Sequence, residues 1–443
     1  MKIPHSRRRK SIVCFLLCFL AGLWLAVTPA TARNAPSPTA LESAAPTANL
    51  LQAGRQQYEN GRIVEAIDLW ERAAIAQSDP LNRAVAYNYL ATAYQDLGRW
   101  PEAATAIETS LAAIATSTET GDRVGAIRAQ ALNARGSWEL ARGRAEDALA
   151  TWQAAEAAYD RAENPTGRLG SQINQAAALQ ALGQHLRARA LLEGLARNLE
   201  TQPDSQLKAD GLRGLGVALQ TVGELQRSKE ILELSWDTSL RVDPQTDNAT
   251  TLMAIGNVAR DIGETDIALD YYREAALIAR DPLTEVRSRL NELGLLVDLG
   301  RYETATPLAD ELRDRLATLP PSRYSVYARV NFSESLLQLP TVDNTTTARL
   351  LAGAIDDARN IEDDRAQAYA LTELGKLYQH HQQWDEARTA SQQALQIAQS
   401  HNADDIVARA AAQLGAIEEA DGQSPRAIAA YNLAFETLQS LRG

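Results

Sequence analysis

Apolar residues recur at helical spacing along most of the chain, in stretches that are separated by single glycines. From Gly143 to Gly263 these glycines are 40 residues apart. A glycine between two helical stretches is typical of the left-handed residue that ends a helix. The pattern therefore predicts helical hairpins that repeat about every 40 residues. The glycines are Gly61, Gly98, Gly143, Gly183, Gly223, Gly263, Gly300 and Gly422.

Two further positions in each unit carry small side chains when this glycine is counted as position 15. Position 8 is glycine or alanine in eight of nine units, and position 20 is alanine in eight of nine. We expect the two positions to face each other, because only small side chains let the two helices of a hairpin approach closely. Larger residues at position 24, such as Trp70, Trp152 and Tyr272, fill the space further out. A single hairpin cannot bury its apolar face, so the hairpins are predicted to stack.

The pattern resembles the tetratricopeptide repeat, which combines a small residue at position 8, tyrosine or leucine at position 11, glycine at position 15, and alanine at positions 20 and 27. The position 11 residues include Tyr94, Leu179, Leu219 and Tyr378. The resemblance covers residues 47–441 and implies an all-α, right-handed α-solenoid of about ten hairpins. The family unit has 34 residues, whereas most units here have 40 and resemble a longer-helix variant.

The chain divides into five predicted segments. Residues 323–362 lack the position 15 glycine and contain Pro340, so they are expected to form one irregular repeat. The segments are a signal peptide at 1–32, a Pro/Ala-rich spacer at 33–48, repeats 1 to 7 at 49–322, the irregular repeat at 323–362, and repeats 9 and 10 at 363–443.

The amino terminus has the organisation of a cleaved secretory signal. Basic residues 7–10 precede the apolar stretch 12–27, and Ala30-Thr31-Ala32 supplies small residues for cleavage after Ala32. An uncleaved anchor is the alternative, although 16 apolar residues are fewer than the ~20 that span a bilayer. Cleavage predicts export to the periplasm or the extracellular space. It would remove Cys14 and Cys18, the only thiols, and with them disulfides and thiolate sites.

The net charge of the chain and its sequence motifs limit the classes of function that the protein can have. The formal net charge is −12, and beyond residue 32 there are 39 basic and 56 acidic residues. Nucleic acid and anionic membranes are therefore poor partners, because phosphate binding needs a surplus of cations. No motif predicts a catalytic residue, a metal site or a cofactor. His380 and His381 are adjacent, so on a helix their side chains point about 100° apart and do not converge on one ion.

A candidate binding face lies on the first helix of each unit. In the family that this chain resembles, positions 2, 5, 9 and 12 face the concave surface. Amide side chains there could hold an extended peptide backbone, since they donate and accept hydrogen bonds; the alternative is a merely solvated polar face. Two arginines accompany the amides, and Asn174 and Asn291 border the face at position 6. The candidate residues are Asn88, Gln95, Asn133, Asn174, Arg213, Gln220, Asn257, Arg260 and Asn291.

A narrower resemblance suggests a second function. The signal, the spacer, the 40-residue repeats and the closing AIAAYNLAFETLQSLRG resemble the amino-terminal half of cyanobacterial proteins that continue into a caspase-like CHAT peptidase domain. Peptidase activity is not carried over, because no Cys–His pair is available. The leading hypothesis is a non-catalytic scaffold for peptide or protein partners. The alternative is the regulatory half of a CHAT protease system whose catalytic domain is absent here.

The last repeat carries an apolar face with no later repeat to cover it. Its positions 21, 25 and 28 are Ile428, Asn432 and Phe435. We expect Phe435 to be more exposed than Trp236, which occupies position 28 of an earlier unit. Such a patch suits self-association through the C-terminal repeat.

Overall fold

The computed structural model describes residues 45–340, 344–401 and 403–440. Within these ranges the chain forms 20 helices and no strand, and the helices pair into ten consecutive hairpins. The predicted all-α solenoid of about ten hairpins is confirmed. The predicted signal peptide and most of the spacer lie outside the described residues. The first helix of the described ranges begins at Ala45, inside the predicted spacer, since alanine favours helix and proline is tolerated in a first turn.

The hairpins follow one another in chain order, each made of a first and a second helix. They are α1 Ala45–Glu59 with α2 Ile63–Ala76, α3 Pro80–Asp96 with α4 Trp100–Thr116, α5 Asp122–Ala141 with α6 Ala145–Arg161, α7 Pro165–Ala181 with α8 His185–Glu200, α9 Gln206–Thr221 with α10 Leu225–Val242, α11 Ala249–Ile262 with α12 Thr265–Ile278, α13 Pro282–Asp298 with α14 Tyr302–Thr318, α15 Arg323–Leu336 with α16 Asn344–Asn360, α17 Asp364–His380 with α18 Trp384–Ser400, and α19 Asp404–Ala420 with α20 Ser424–Ser440.

The array curves toward its first helices. From α3 onward, each first helix contacts the first helix of the next hairpin, whereas consecutive second helices make at most marginal contact in the described part of the chain. The first helices therefore line the concave side and the second helices the convex side. No described helix combines the length and the apolar character needed to cross a membrane.

The position 15 glycines adopt the left-handed conformation that the sequence predicts. All eight have φ between 68° and 96°. At the Gly98 turn, the Arg99 N–H donates to the carbonyl of Tyr94 at 2.8 Å and so satisfies a helix-terminal acceptor. Hairpin 9 has Gln382 at this position with φ 58°, so the turn survives there without glycine.

The small residue at position 8 lies beneath the large residue at position 24. A Cβ added to Gly136 would lie 2.5 Å from the indole of Trp152, and one added to Gly256 would lie 2.7 Å from the Tyr272 ring. Hairpin 7 reverses the sizes, with buried Leu293 at position 8 and Ala309 at position 24. Hairpin 9 has small residues at both positions, Gly375 and Ser391. The pairs therefore show that a large residue at one position requires a small one at the other.

Position 20 also faces position 8, as the sequence predicts. Seven of its eight alanines are fully buried, and Ala427 in the last hairpin is nearly so. Ser228, the exception, donates a hydrogen bond from Oγ to the carbonyl of Gly216 at 2.6 Å. Position 8 is therefore enclosed by both position 20 and position 24.

The prediction that the last apolar face is exposed is confirmed. Phe435 is 60% exposed and Ile428 is 59% exposed, whereas Trp236 is half-buried against the core. At position 21, Leu269 of hairpin 6 is 1% exposed because the next hairpin covers it.

We predict that Gly216→Leu destabilises the protein by about 1–3 kcal/mol through overpacking. A Cβ at Gly216 would lie 2.5 Å from Leu232, so the hairpin must open. The matched control is Gly194→Leu in α8, where an added Cβ meets nothing within 4 Å. That change should stabilise by up to ~1 kcal/mol because glycine is unfavourable inside a helix. Urea unfolding measures both, and equal effects would contradict the position 8 assignment.

Candidate functional site

The open stripe of the concave face consists of positions 2, 6, 9 and 13. In α7, for example, Asn174 at position 6 is half-buried, while Ala177 and Ala181 at positions 9 and 13 are exposed. Positions 5 and 12 lie on average about 80° further around the helix, at 100° per residue. They therefore point toward the first helix of the next hairpin, and the predicted binding face is displaced from the true one.

Asn88 and Gln95 join hairpin 2 to hairpin 3. The Asn88 amide donates to the carbonyl of Ile127 at 3.0 Å, and the Gln95 amide donates to the carbonyl of Ala134 at 3.0 Å. Asn88 Oδ1 also accepts a hydrogen bond from Ser110 at 2.7 Å. Both residues are buried. Their prediction as exposed groove residues is wrong, because the neighbouring helix takes their hydrogen bonds.

Asn133 is likewise buried between hairpins, at 1% exposure. Its Oδ1 accepts from Ser171 in the next hairpin at 3.1 Å, and its carbonyl accepts from the indole of Trp152 at 3.3 Å. The prediction that Asn133 lies on the concave surface is wrong for the same reason. An alanine at this position would test packing and not partner binding.

Three further candidates are half-buried and bonded to neighbouring groups. The Gln220 amide donates to Asp261 of the next hairpin at 2.7 Å. Asn257 Oδ1 accepts from the Tyr272 hydroxyl at 2.8 Å and from the Asn291 amide at 3.2 Å. These groups contribute to hairpin stacking and still border the concave side.

Asn174, Arg213 and Arg260 reach the concave surface. The side chain of Arg213 is 25% exposed and lies 3.5 Å from Asp210. Arg260 is more exposed and pairs with Asp261 at 3.1 Å. Their role in partner binding stays a prediction.

Small side chains dominate the open stripe in hairpins 4 to 7. A Cβ added to Gly294 would meet no atom within 4 Å, so the surface there is open space. Charged residues stand among the small ones, including Asp210 and Arg287. We call this segment the trough. Its uncharged residues are Gly170, Asn174, Ala177, Ala181, Gly214, Val217, Thr221, Thr250, Ala254, Asn257, Asn291 and Gly294.

The same stripe is charged and aromatic in hairpins 8 to 10. The Lys376 ammonium lies 2.5 Å from Glu373, and the Arg409 guanidinium lies over the Tyr369 ring at 5.1 Å. Tyr369 donates to Asn331 at 3.0 Å. Burial raises the pKa of Glu373, which has no exposed surface. This cluster was not predicted from the sequence, although the charges at positions 6 and 9 of hairpin 9, Glu373 and Lys376, are a readable signal.

Metal chemistry finds no support in the described ranges. No group of three or more His, Cys, Asp or Glu side chains is placed there to hold a metal ion.

Two segments match the tetratricopeptide repeat family, at residues 83–114 and 365–440. These two segments are similar to tetratricopeptide repeats. The first matched segment lies in hairpin 2, and the second covers hairpins 9 and 10. No curated protein matches the chain.

Several solved structures are similar at low sequence identity. The Rap conjugation gene regulator of the plasmid pLS20 is 15% identical, with 89% of this chain and 96% of that chain covered and a TM-score of 0.44. The quorum sensor NprR from B. thuringiensis is 13% identical, with 79% and 96% covered and a TM-score of 0.42. A putative kinesin light chain from Podosopora anserina is 24% identical, with 44% and 95% covered and a TM-score of 0.34.

We predict that Asn88→Ala lowers the free energy of unfolding by about 1–3 kcal/mol, because it leaves buried partners without hydrogen bonds. Asn174→Ala, on the open stripe, should change it by less than ~0.5 kcal/mol. Urea unfolding of the two variants distinguishes a stacking amide from a surface amide. A silent Asn88→Ala would restore it as a candidate for partner contact.

Proposed function

We propose that the protein is a non-catalytic scaffold that binds a peptide or protein segment in the trough. The observation that carries this proposal is the run of small side chains along the concave side of four consecutive hairpins. Small residues let another backbone approach closely, and Asn174 offers a donor and an acceptor beside it. Tetratricopeptide repeats typically have no catalytic role, which agrees with the absence of catalytic motifs in the sequence.

The charge balance favours a protein partner over nucleic acid. The net charge of −12 gives no surplus of cations for phosphate contacts. Arg213 and Arg260 border the trough, and each lies beside an aspartate, so this side of the array presents both signs of charge. A partner with mixed polar groups fits it better than a polyanion.

We predict that Ala177→Arg weakens partner binding at least about tenfold, because a long charged side chain blocks the floor of the trough. The probe is a peptide selected from a random library against the wild-type protein, and its dissociation constant is measured by fluorescence polarisation. Ala190→Arg is the matched control, since Ala190 is exposed on α8, the convex helix of the same hairpin. Equal affinities for the two variants would place the binding site elsewhere.

Two finer predictions stay open. The relation to CHAT protease systems rests on the sequence resemblance alone, and recovery of a caspase-like protease with the purified protein would favour the regulatory alternative. Export likewise rests on residues 1–32, and the amino-terminal sequence of the protein purified from its host would test cleavage after Ala32.

We also propose that α20 mediates self-association with a second copy of the chain. Its face corresponds to the surface that hairpin 6 buries against hairpin 7, as Leu269 shows. Ile428 lies four residues before Asn432, and Phe435 lies three residues after it. An antiparallel pair of α20 helices centred on Asn432 would therefore place Ile428 of one copy against Phe435 of the other, which is the self-complementarity of a two-fold interface.

We predict that Phe435→Asp reduces self-association while leaving the melting temperature nearly unchanged, because the side chain is already solvated in the single chain. Sedimentation velocity over a concentration series measures the association. Ala429→Asp is the control, as Ala429 is exposed on α20 about 100° from Ile428. A concentration-independent wild-type monomer, or equal loss in both variants, would contradict this interface.

A further inference from the structure

Of the eight hairpin turns with a position 15 glycine, two are packed against distant hairpins and six are not. A Cβ added to Gly61 would lie 2.7 Å from the Tyr324 ring, and one added to Gly98 would collide with the carbonyl oxygen of His401. At the remaining position 15 glycines an added Cβ meets nothing within 4 Å. The turns of hairpins 1 and 2 therefore contact hairpins 8 and 9, so the array completes one turn in seven hairpins.

Arg323 lies at the centre of this contact. Its backbone N–H donates to the carbonyl of Gly61 at 3.1 Å. Its guanidinium donates to the carbonyl of Asp96 at 3.0 Å, across 227 residues of sequence. The same guanidinium forms a two-point ion pair with Asp363, with N···O distances of 2.5 and 3.0 Å. The side chain of Arg323 thus joins hairpins 2 and 9 to its own hairpin 8, and its backbone N–H adds hairpin 1.

The contact excludes water from its polar groups. Arg323 is 8% exposed and Asp363 is 2% exposed. Tyr58 donates its hydroxyl to the carboxylate of Asp96, so both the side chain and the backbone of Asp96 are engaged. Removing one member of such a buried group leaves the others without partners, which costs more than loss of a surface ion pair.

The contact between turns is smaller than the stacking of consecutive hairpins. Each pair of adjacent hairpins shares apolar surface along whole helices, whereas the turns meet through Arg323, Tyr324 and the carbonyl of His401. In addition, hairpins 1 and 2 do not follow hairpins 8 and 9 directly along the chain, so no short covalent link holds them together. This contact is therefore the joint that separates first when the array opens.

We propose that Arg323 and Tyr324 form a clasp that holds one turn of the solenoid closed and limits how far the concave face opens. The clasp joins parts of the chain that no local repeat interaction connects. Opening it would change the pitch of the array without unfolding any hairpin. Access to the trough would then depend on a contact outside it.

The backbone amide of residue 323 reports the clasp directly. It is the first N–H of α15, which has no acceptor within its own helix. Its protection from hydrogen exchange therefore depends on the carbonyl of Gly61. We expect Arg323→Gln to speed exchange of this amide about tenfold or more. We also expect the radius of gyration in small-angle X-ray scattering to rise while far-UV ellipticity stays unchanged.

Arg329→Gln is the matched control. Arg329 pairs with Asp357 inside hairpin 8, so its loss removes a partly buried Arg–Asp pair without touching the first two hairpins. It should leave the exchange of amide 323 and the radius of gyration unchanged. Tyr324→Ala removes the ring that packs on Gly61 and should reproduce the opening, which decides the matter should Arg323→Gln unfold hairpin 8. Unchanged scattering and exchange in Tyr324→Ala, or equal changes in Arg329→Gln, would overturn the clasp.

Discussion

The fit of position 24 onto position 8 is the constraint on which this fold depends. The indole of Trp152 packs against Gly136. In hairpin 7 the sizes are reversed, and Leu293 at position 8 packs against Ala309 at position 24. A large residue at one position requires a small one at the other, because both occupy the space between the two helices. Because a small residue recurs at one of the two positions, the helices approach closely in consecutive hairpins, and similar surfaces stack.

This constraint also explains why the fold could be read from the sequence. Glycine at position 15, small residues at positions 8 and 20 and bulk at position 24 are local features that recur with a fixed period. They set the register without knowledge of any distant contact. Even the turn at Gln382 keeps the left-handed conformation without glycine, and the same type of backbone hydrogen bond closes it, from the Gln383 N–H to the carbonyl of Tyr378 at 2.9 Å.

The candidate site was less accessible to sequence reasoning. A polar residue at position 5 looks the same in the sequence whether its side chain faces water or the next helix. A rotation of about 80° around the helix separates the two faces, and which face is buried depends on how closely consecutive first helices approach. Asn88 and Asn133 were misplaced for that reason. Arg323 was invisible for another reason, since its partner Asp96 lies 227 residues away and no periodicity relates the two.

The burial of the amides and the contact made by Arg323 have a common physical origin. Amides at positions 5 and 12 stack the hairpins closely, and close stacking of the first helices produces the curvature of the array. That curvature returns the turns of hairpins 1 and 2 to hairpins 8 and 9, where Arg323 can reach Asp96. In hairpins 4 to 7, small side chains occupy the positions of the concave face that point away from these interfaces. The amides expected to hold a partner instead shape the trough in which we propose that a partner binds.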